Sequence, residues 1–97
     1  MSCIFNVGVI HYKHTIVEAI SIAPMLLEYV CFVMGMHTQG HWGSIGVAEY
    51  EANNQCLAAG TSVSSEYELA EEFQQFADAL IITTDIALGI TIISLST

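Results

Sequence analysis

Apolar positions follow two rhythms along this chain. Between residues 15 and 59 they recur at helical spacing, whereas the first dozen residues and the last third alternate. Residues 4–12 (Ile-Phe-Asn-Val-Gly-Val-Ile-His-Tyr) predict a short strand with Phe5, Val7 and Val9 on one face. Thr15-Ile16-Val17-Glu18 has the form of a capping box, with the Thr15 hydroxyl accepting from the Glu18 amide and the Glu18 side chain returning to Thr15. A short helix should follow, with Ile16, Ala19, Ile20 and Ala23 inward. Pro24 suits the first turn of a second helix, roughly 24–36, where its missing N–H is harmless. That helix is apolar nearly all round, only Glu28 breaking the surface, which predicts cover on most sides. His37 to Gly46 reads as a glycine-punctuated loop around Trp42. A third helix is predicted over 47–59, with Val47, Tyr50, Asn54 and Leu57 along one stripe and Gly60 ending it.

Alternation then takes over. In Ser62–Leu69, Val63, Ser65, Tyr67 and Leu69 share a core face, and Ser62, Ser64, Glu66 and Glu68 share a wet one. Residues 70–78 form an acidic connection with room for a helical turn. Leu80–Ile86 and Ile90–Ser96 are β-branched runs joined by Ala87-Leu88-Gly89, the pattern of a hairpin. The order strand, three helices, three strands predicts an α+β fold: an antiparallel sheet of about four strands with the helices packed on one face. All 97 residues fit a single domain, 1–97, which can close a core without a disulfide or metal staple.

Charge changes this picture. Ten acids face one Lys and no Arg, for a formal net charge of −9, so nothing here can neutralise nucleic-acid phosphates. Eight acids lie between residues 49 and 85: Glu49, Glu51, Glu66, Glu68, Glu71, Glu72, Asp78 and Asp85. Keeping one sign costs self-repulsion, which an ordinary solvated surface avoids by mixing signs. A proteome-wide excess of acids would produce the same balance without a function. A functional anionic field needs a cationic protein partner. A domain of this length is about 30 Å across, and duplex DNA presents about 18 charges over that span. Eight clustered acids suit a decoy that covers one side of a groove built for phosphates. Phe73 and Phe76 lie within the acidic connection, either as core or as apolar anchors inside an acidic rim.

Other chemistry finds little footing. Cys3, Cys31 and Cys56 are odd in number and widely spaced, and read as small buried hydrophobes in a reducing cytosol. His11 and His14, His37 and His41 make no CxxC or HExxH pattern with them, so no metal or cofactor is expected, and His37 and His41 read as loop anchors. Glu71-Glu72 sits on an exposed connection without the apolar pocket that tunes an acid–base pair. No glycine-rich phosphate loop follows a strand, and the reading is that the chain is not an enzyme. The apolar run Ile16–Met36 is broken by Glu18, Pro24 and Glu28, and the N-terminus lacks a basic flank, which predicts a soluble cytoplasmic protein.

His37-Thr38-Gln39-Gly40-His41-Trp42-Gly43 resembles the H-x-x-G-D-W-G signature of a family of small plasmid-borne proteins. Asn53 and Leu57 match an Asn and a Leu that follow the signature, Ser65-Glu66-Tyr67 an S-x-Y strand, Ile81-Ile82-Thr83 an I-I-T strand start, and Thr91-Ile92-Ile93 the closing strand. The match spans roughly residues 4–95. His41 stands for the family's Asp, Thr84-Asp85-Ile86-Ala87 replaces a charged E-A-D-R segment, and a terminal P-x-x-Y is absent, so the resemblance implies the fold rather than a shared site. Length, plasmid-type relationship and acidity together also resemble small anti-CRISPR proteins directed at type I-F systems. That resemblance implies a stoichiometric DNA mimic that occupies the basic cleft at the Cas8–Cas5 end of the surveillance complex, where target duplex and PAM enter. The alternatives are an antirestriction DNA mimic and a plasmid-encoded protein-interaction module without catalytic activity.

Overall fold

The computed structural model describes residues 4–96. Its elements are β1 (Val9–Tyr12), α1 (His14–Ile22), α2 (Met25–His37), α3 (Val47–Ala59), β2 (Ser62–Glu68), a 3-10 turn (Glu71–Phe73), β3 (Ala79–Asp85) and β4 (Ile90–Leu95). The α+β order matches the sequence reading. Strands line up as β1-β4-β3-β2, with β2–β3 and β3–β4 antiparallel. The sheet is mixed, not antiparallel throughout: β1 runs parallel to β4, with Val9 opposite Ile90 and Tyr12 opposite Ile93. Parallel neighbours need a long crossover, and every other element of the chain lies between these two strands. Residue alternation is blind to strand direction, which is why the pairing was not legible locally.

Helices α1 and α2 cover one face of the sheet. Ile16, Ala19, Leu26, Val30 and Val33 meet Tyr67, Leu69, Leu80, Ile82 and Ile93 in one continuous core. Helix α3 contributes little to that layer and instead flanks β2, so not all three helices share a face. Its bounds and the left-handed Gly60 that ends it agree with the sequence reading. Its inward residue is Asn53, however, while Val47 and Asn54 of the expected stripe are exposed. The capping box does not form: Lys13 caps α1 without a side-chain bond, and Glu18 pairs with His14 at 2.6 Å instead. Helix α2 is not covered on most sides either. Met25, Leu27, Cys31 and Phe32 are exposed, because only the Leu26–Val30–Val33–His37 face meets the sheet.

Strand β1 is shorter than the 4–12 run. Phe5 and Val7 are half-buried ahead of it, and Val9 is exposed on the sheet's outer face beside Ile90. Among the described cysteines, Cys31 is exposed and Cys56 half-buried, and Cys3 lies outside the described residues. No helix among the described residues is long and apolar enough to cross a membrane.

Candidate functional site

The two edges of the sheet are treated very differently by the rest of the chain. Pairing with β3 leaves the backbone groups of Ser64, Glu66 and Glu68 pointing away from the sheet, since antiparallel bonds fall on alternate residues. Each finds a partner. The Asn53 side chain donates to the Ser64 carbonyl at 2.6 Å and accepts from the Ser64 amide at 3.1 Å. The Glu66 amide donates to the Trp42 carbonyl at 3.1 Å, and the Glu66 carbonyl accepts from the Ser44 amide at 2.7 Å. The Tyr29 hydroxyl donates to the Glu68 carbonyl. Edge β2 is therefore closed by side chains and loop backbone, one of the ways natural sheets avoid edge pairing.

The H-x-x-G-x-W-G segment is the clamp that makes this closure possible. Trp42 is fully buried, donates its indole N–H to the Asn54 side-chain carbonyl at 3.1 Å and its backbone N–H to the Tyr50 hydroxyl at 3.0 Å. Gly43 has φ 81°, and a Cβ there would stand 2.0 Å from the Glu66 carbonyl oxygen, so only glycine lets the loop lie against β2. The Tyr67 hydroxyl donates to the His41 carbonyl at 2.6 Å, and burial pushes the Tyr67 phenol up to about 12.

His37 is the last residue of α2 and completely buried, against the expectation of a loop anchor. Its ring meets Phe5 and Trp42 edge-on. Nδ1 bonds the Ser65 hydroxyl, and Nε2 bonds Thr84 Oγ1 at 2.9 Å. Thr84 meets Thr91 Oγ1 at 2.7 Å, and Thr91 donates to the Val7 carbonyl at 2.7 Å. The proton positions follow by elimination, because a hydroxyl has one proton to give. Thr91 spends its own on Val7 and accepts from Thr84. Thr84 must then accept from His37 Nε2–H, which leaves Nδ1 to accept from Ser65. Burial holds His37 neutral, its pKa lowered from 6.5 to about 4. This chain of bonds ties α2, β2, β3, β4 and the lead-in to β1 together. His37 is thereby occupied in architecture. His41, its sequence partner, is exposed on the loop.

Six of the eight clustered acids border the closed edge. Glu66 and Glu68 share the outer face of β2, Glu71 and Glu72 follow in the 3-10 turn, and the Asp78 carbonyl accepts from the Leu69 amide. Asn53 opposite Ser64 fixes the level of α3. One helical turn back rises about 6 Å, and two strand residues on rise about 7 Å, which puts Glu49 level with Glu66. Glu51 lies two residues from the inward Asn53 and projects to the solvent side of α3. Asp85 does not join the group. It pairs with Ser62 at the opposite end of β2, about 20 Å from Glu68, and its carboxylate caps the β3–β4 turn through the Leu88 amide at 3.0 Å.

Phe73 is not an anchor: it is buried against Tyr29, and Phe76 packs half-buried on the same core. Among the described residues no three His, Cys, Asp or Glu side chains gather into a metal-binding group. At the opposite edge, β1 has no strand or side chain laid across it among the described residues, and an apolar groove of about 380 Å³ runs beside it between Tyr12, Val17, Ile20 and Leu27. Nothing in the alternation of residues 4–12 distinguishes an open edge from a covered one. Comparison with protein-family models, with curated proteins and with solved structures finds no match to this chain.

Proposed function

We propose that this chain works by binding, as an acidic decoy whose β2 edge occupies a basic nucleic-acid cleft of a protein partner. The observation that carries this reading is the grouping of Glu49, Glu66, Glu68, Glu71, Glu72 and Asp78 about one end of a closed sheet edge, with no Lys or Arg anywhere after residue 13. Such a surface presents carboxylates to arginines and lysines that are spaced for phosphates. It draws the partner in quickly at low salt and loosens as salt screens it. The closed edge matters to the mechanism, because a surface that has to be held against its own repulsion needs a rigid backing.

The resemblance to type I-F anti-CRISPR proteins makes the Cas8–Cas5 end of the surveillance complex the specific partner of this proposal. There the protein would exclude target duplex one-for-one and cleave nothing. The test is a variant carrying Glu66→Lys, Glu68→Lys, Glu71→Lys and Glu72→Lys, compared with the wild type for binding to the purified complex in competition with target DNA, at low and high salt. The expected result is an unchanged fold by circular dichroism, lost competition, and wild-type binding that weakens with salt. Undiminished competition by the folded variant overturns the decoy reading. Failure of the wild type to bind this complex while it still binds another nucleic-acid enzyme removes the partner and keeps the mechanism.

A further inference from the structure

We propose that β1 is a self-association edge, on which a second copy of this chain docks antiparallel to form a continuous eight-stranded sheet. The inference stands apart from the acidic edge and rests on β1 itself. The Val9 amide donates to the Gly89 carbonyl and the Lys13 amide to the Ile93 carbonyl, both at 2.9 Å. In a parallel ladder the residues between these point the other way, so the N–H and C=O groups of Ile10 and Tyr12 face outward. All four β1 residues are exposed. Where β2 has Asn53, Ser44, Trp42 and Tyr29 across its edge, β1 has nothing among the described residues. An open apolar edge is a template for another strand.

Charge selects the occupant. The molecule carries −9, and its acids crowd the far edge of the sheet, so a second copy meets least repulsion at β1. This pole is close to electrically balanced: residues 4–22 hold one Lys, Lys13, and one acid, Glu18. Docking β1 on β1 sends the two acidic edges to opposite ends of the assembly. Apolar side chains are exposed around this edge: Val9, Ile10 and Tyr12 on β1, Ile92 on β4, Val17 on α1 and Leu27 on α2. Val9 and Ile92 flank the edge on one face of the sheet, and Tyr12, Val17 and Leu27 flank it on the other.

The geometry also fixes the register. Outward groups at Ile10 and Tyr12 pair best as Ile10 with the partner's Tyr12 and the reverse, which gives hydrogen-bonded pairs on both sides of a two-fold axis at His11. Each Ile–Tyr contact is then a β-branched residue against an aromatic, a favourable cross-strand pair.

Three measurements test the proposal together. Light scattering across a concentration series should show wild-type protein approaching twice the 10.5 kDa chain mass. Ile10→Pro removes an outward N–H that β4 does not use, so it should keep the wild-type circular dichroism and stay monomeric. His11→Cys should form an intermolecular disulfide between the two substituted positions, located by peptide mapping, whereas Val9→Cys should not, its two copies lying four residues out of step. Wild-type protein that remains a monomer at the highest concentration overturns the proposal. So does a dimer that persists in Ile10→Pro, or one that cross-links at Val9→Cys and not at His11→Cys.

Discussion

The side-chain amide of Asn53 serves both backbone groups of Ser64, one at 2.6 Å and one at 3.1 Å, as a neighbouring strand would. One residue of α3 thus substitutes for a fifth strand and terminates the sheet on that side. Asn53→Ala leaves a partly buried amide and carbonyl without partners. It should lower unfolding stability by about 1–3 kcal/mol, measured by urea titration. Amide exchange at Ser64 should accelerate more than exchange at Ile82 in the sheet interior, which separates edge opening from general loosening.

His37 predicts a specific acid response. Its pKa lies near 4 in the folded protein and at 6.5 when unfolded, so the unfolded chain binds a proton first as pH falls. The contribution of neutral His37 is complete above about pH 6.5 and drains away as pH drops towards 4, about 3 kcal/mol in all. In the variant His37→Gln this titration is missing. The stability gap between wild type and variant should therefore narrow between neutral pH and pH 4, other acids cancelling in the difference. A gap that stays constant would contradict a neutral, buried imidazole.

Gly43→Ala is expected to be among the most damaging small substitutions. Its Cβ would stand 2.0 Å from the Glu66 carbonyl oxygen and 2.8 Å from the Tyr67 ring, at a φ of 81° that strains any side chain. A loss of about 2–4 kcal/mol in a chemical melt is the expected outcome. Gly35→Ala, which meets nothing within 4 Å, should be neutral or stabilising and serves as the control.

Phe73→Ala distinguishes core from interface. Phe73 packs on Tyr29 inside the core, so truncation should cost about 3–5 kcal/mol of folding stability. Glu72→Lys one residue earlier is exposed and should leave stability within about half a kcal/mol. A thermal melt of the two variants checks the contrast.

How much of this was written locally can be judged residue by residue. Short-range rules specified the order of elements, the bounds of α3 with its left-handed Gly60, and the burial of Val63, Ser65, Tyr67 and Leu69, because periodicity and turn chemistry act within a few residues. The collection of acids after residue 48 was equally plain, since composition needs no fold. Tertiary structure decided what depends on partners far along the chain. Thr91 reaches Val7 across 84 positions, His37 reaches Thr84 across 47, and β1 takes its parallel place beside β4. It also separated Asp85 from the other carboxylates, sank Phe73 into the core, closed the β2 edge and left β1 uncovered among the described residues. Local sequence states which backbone groups will seek partners; only the assembled fold states which of them are left without one.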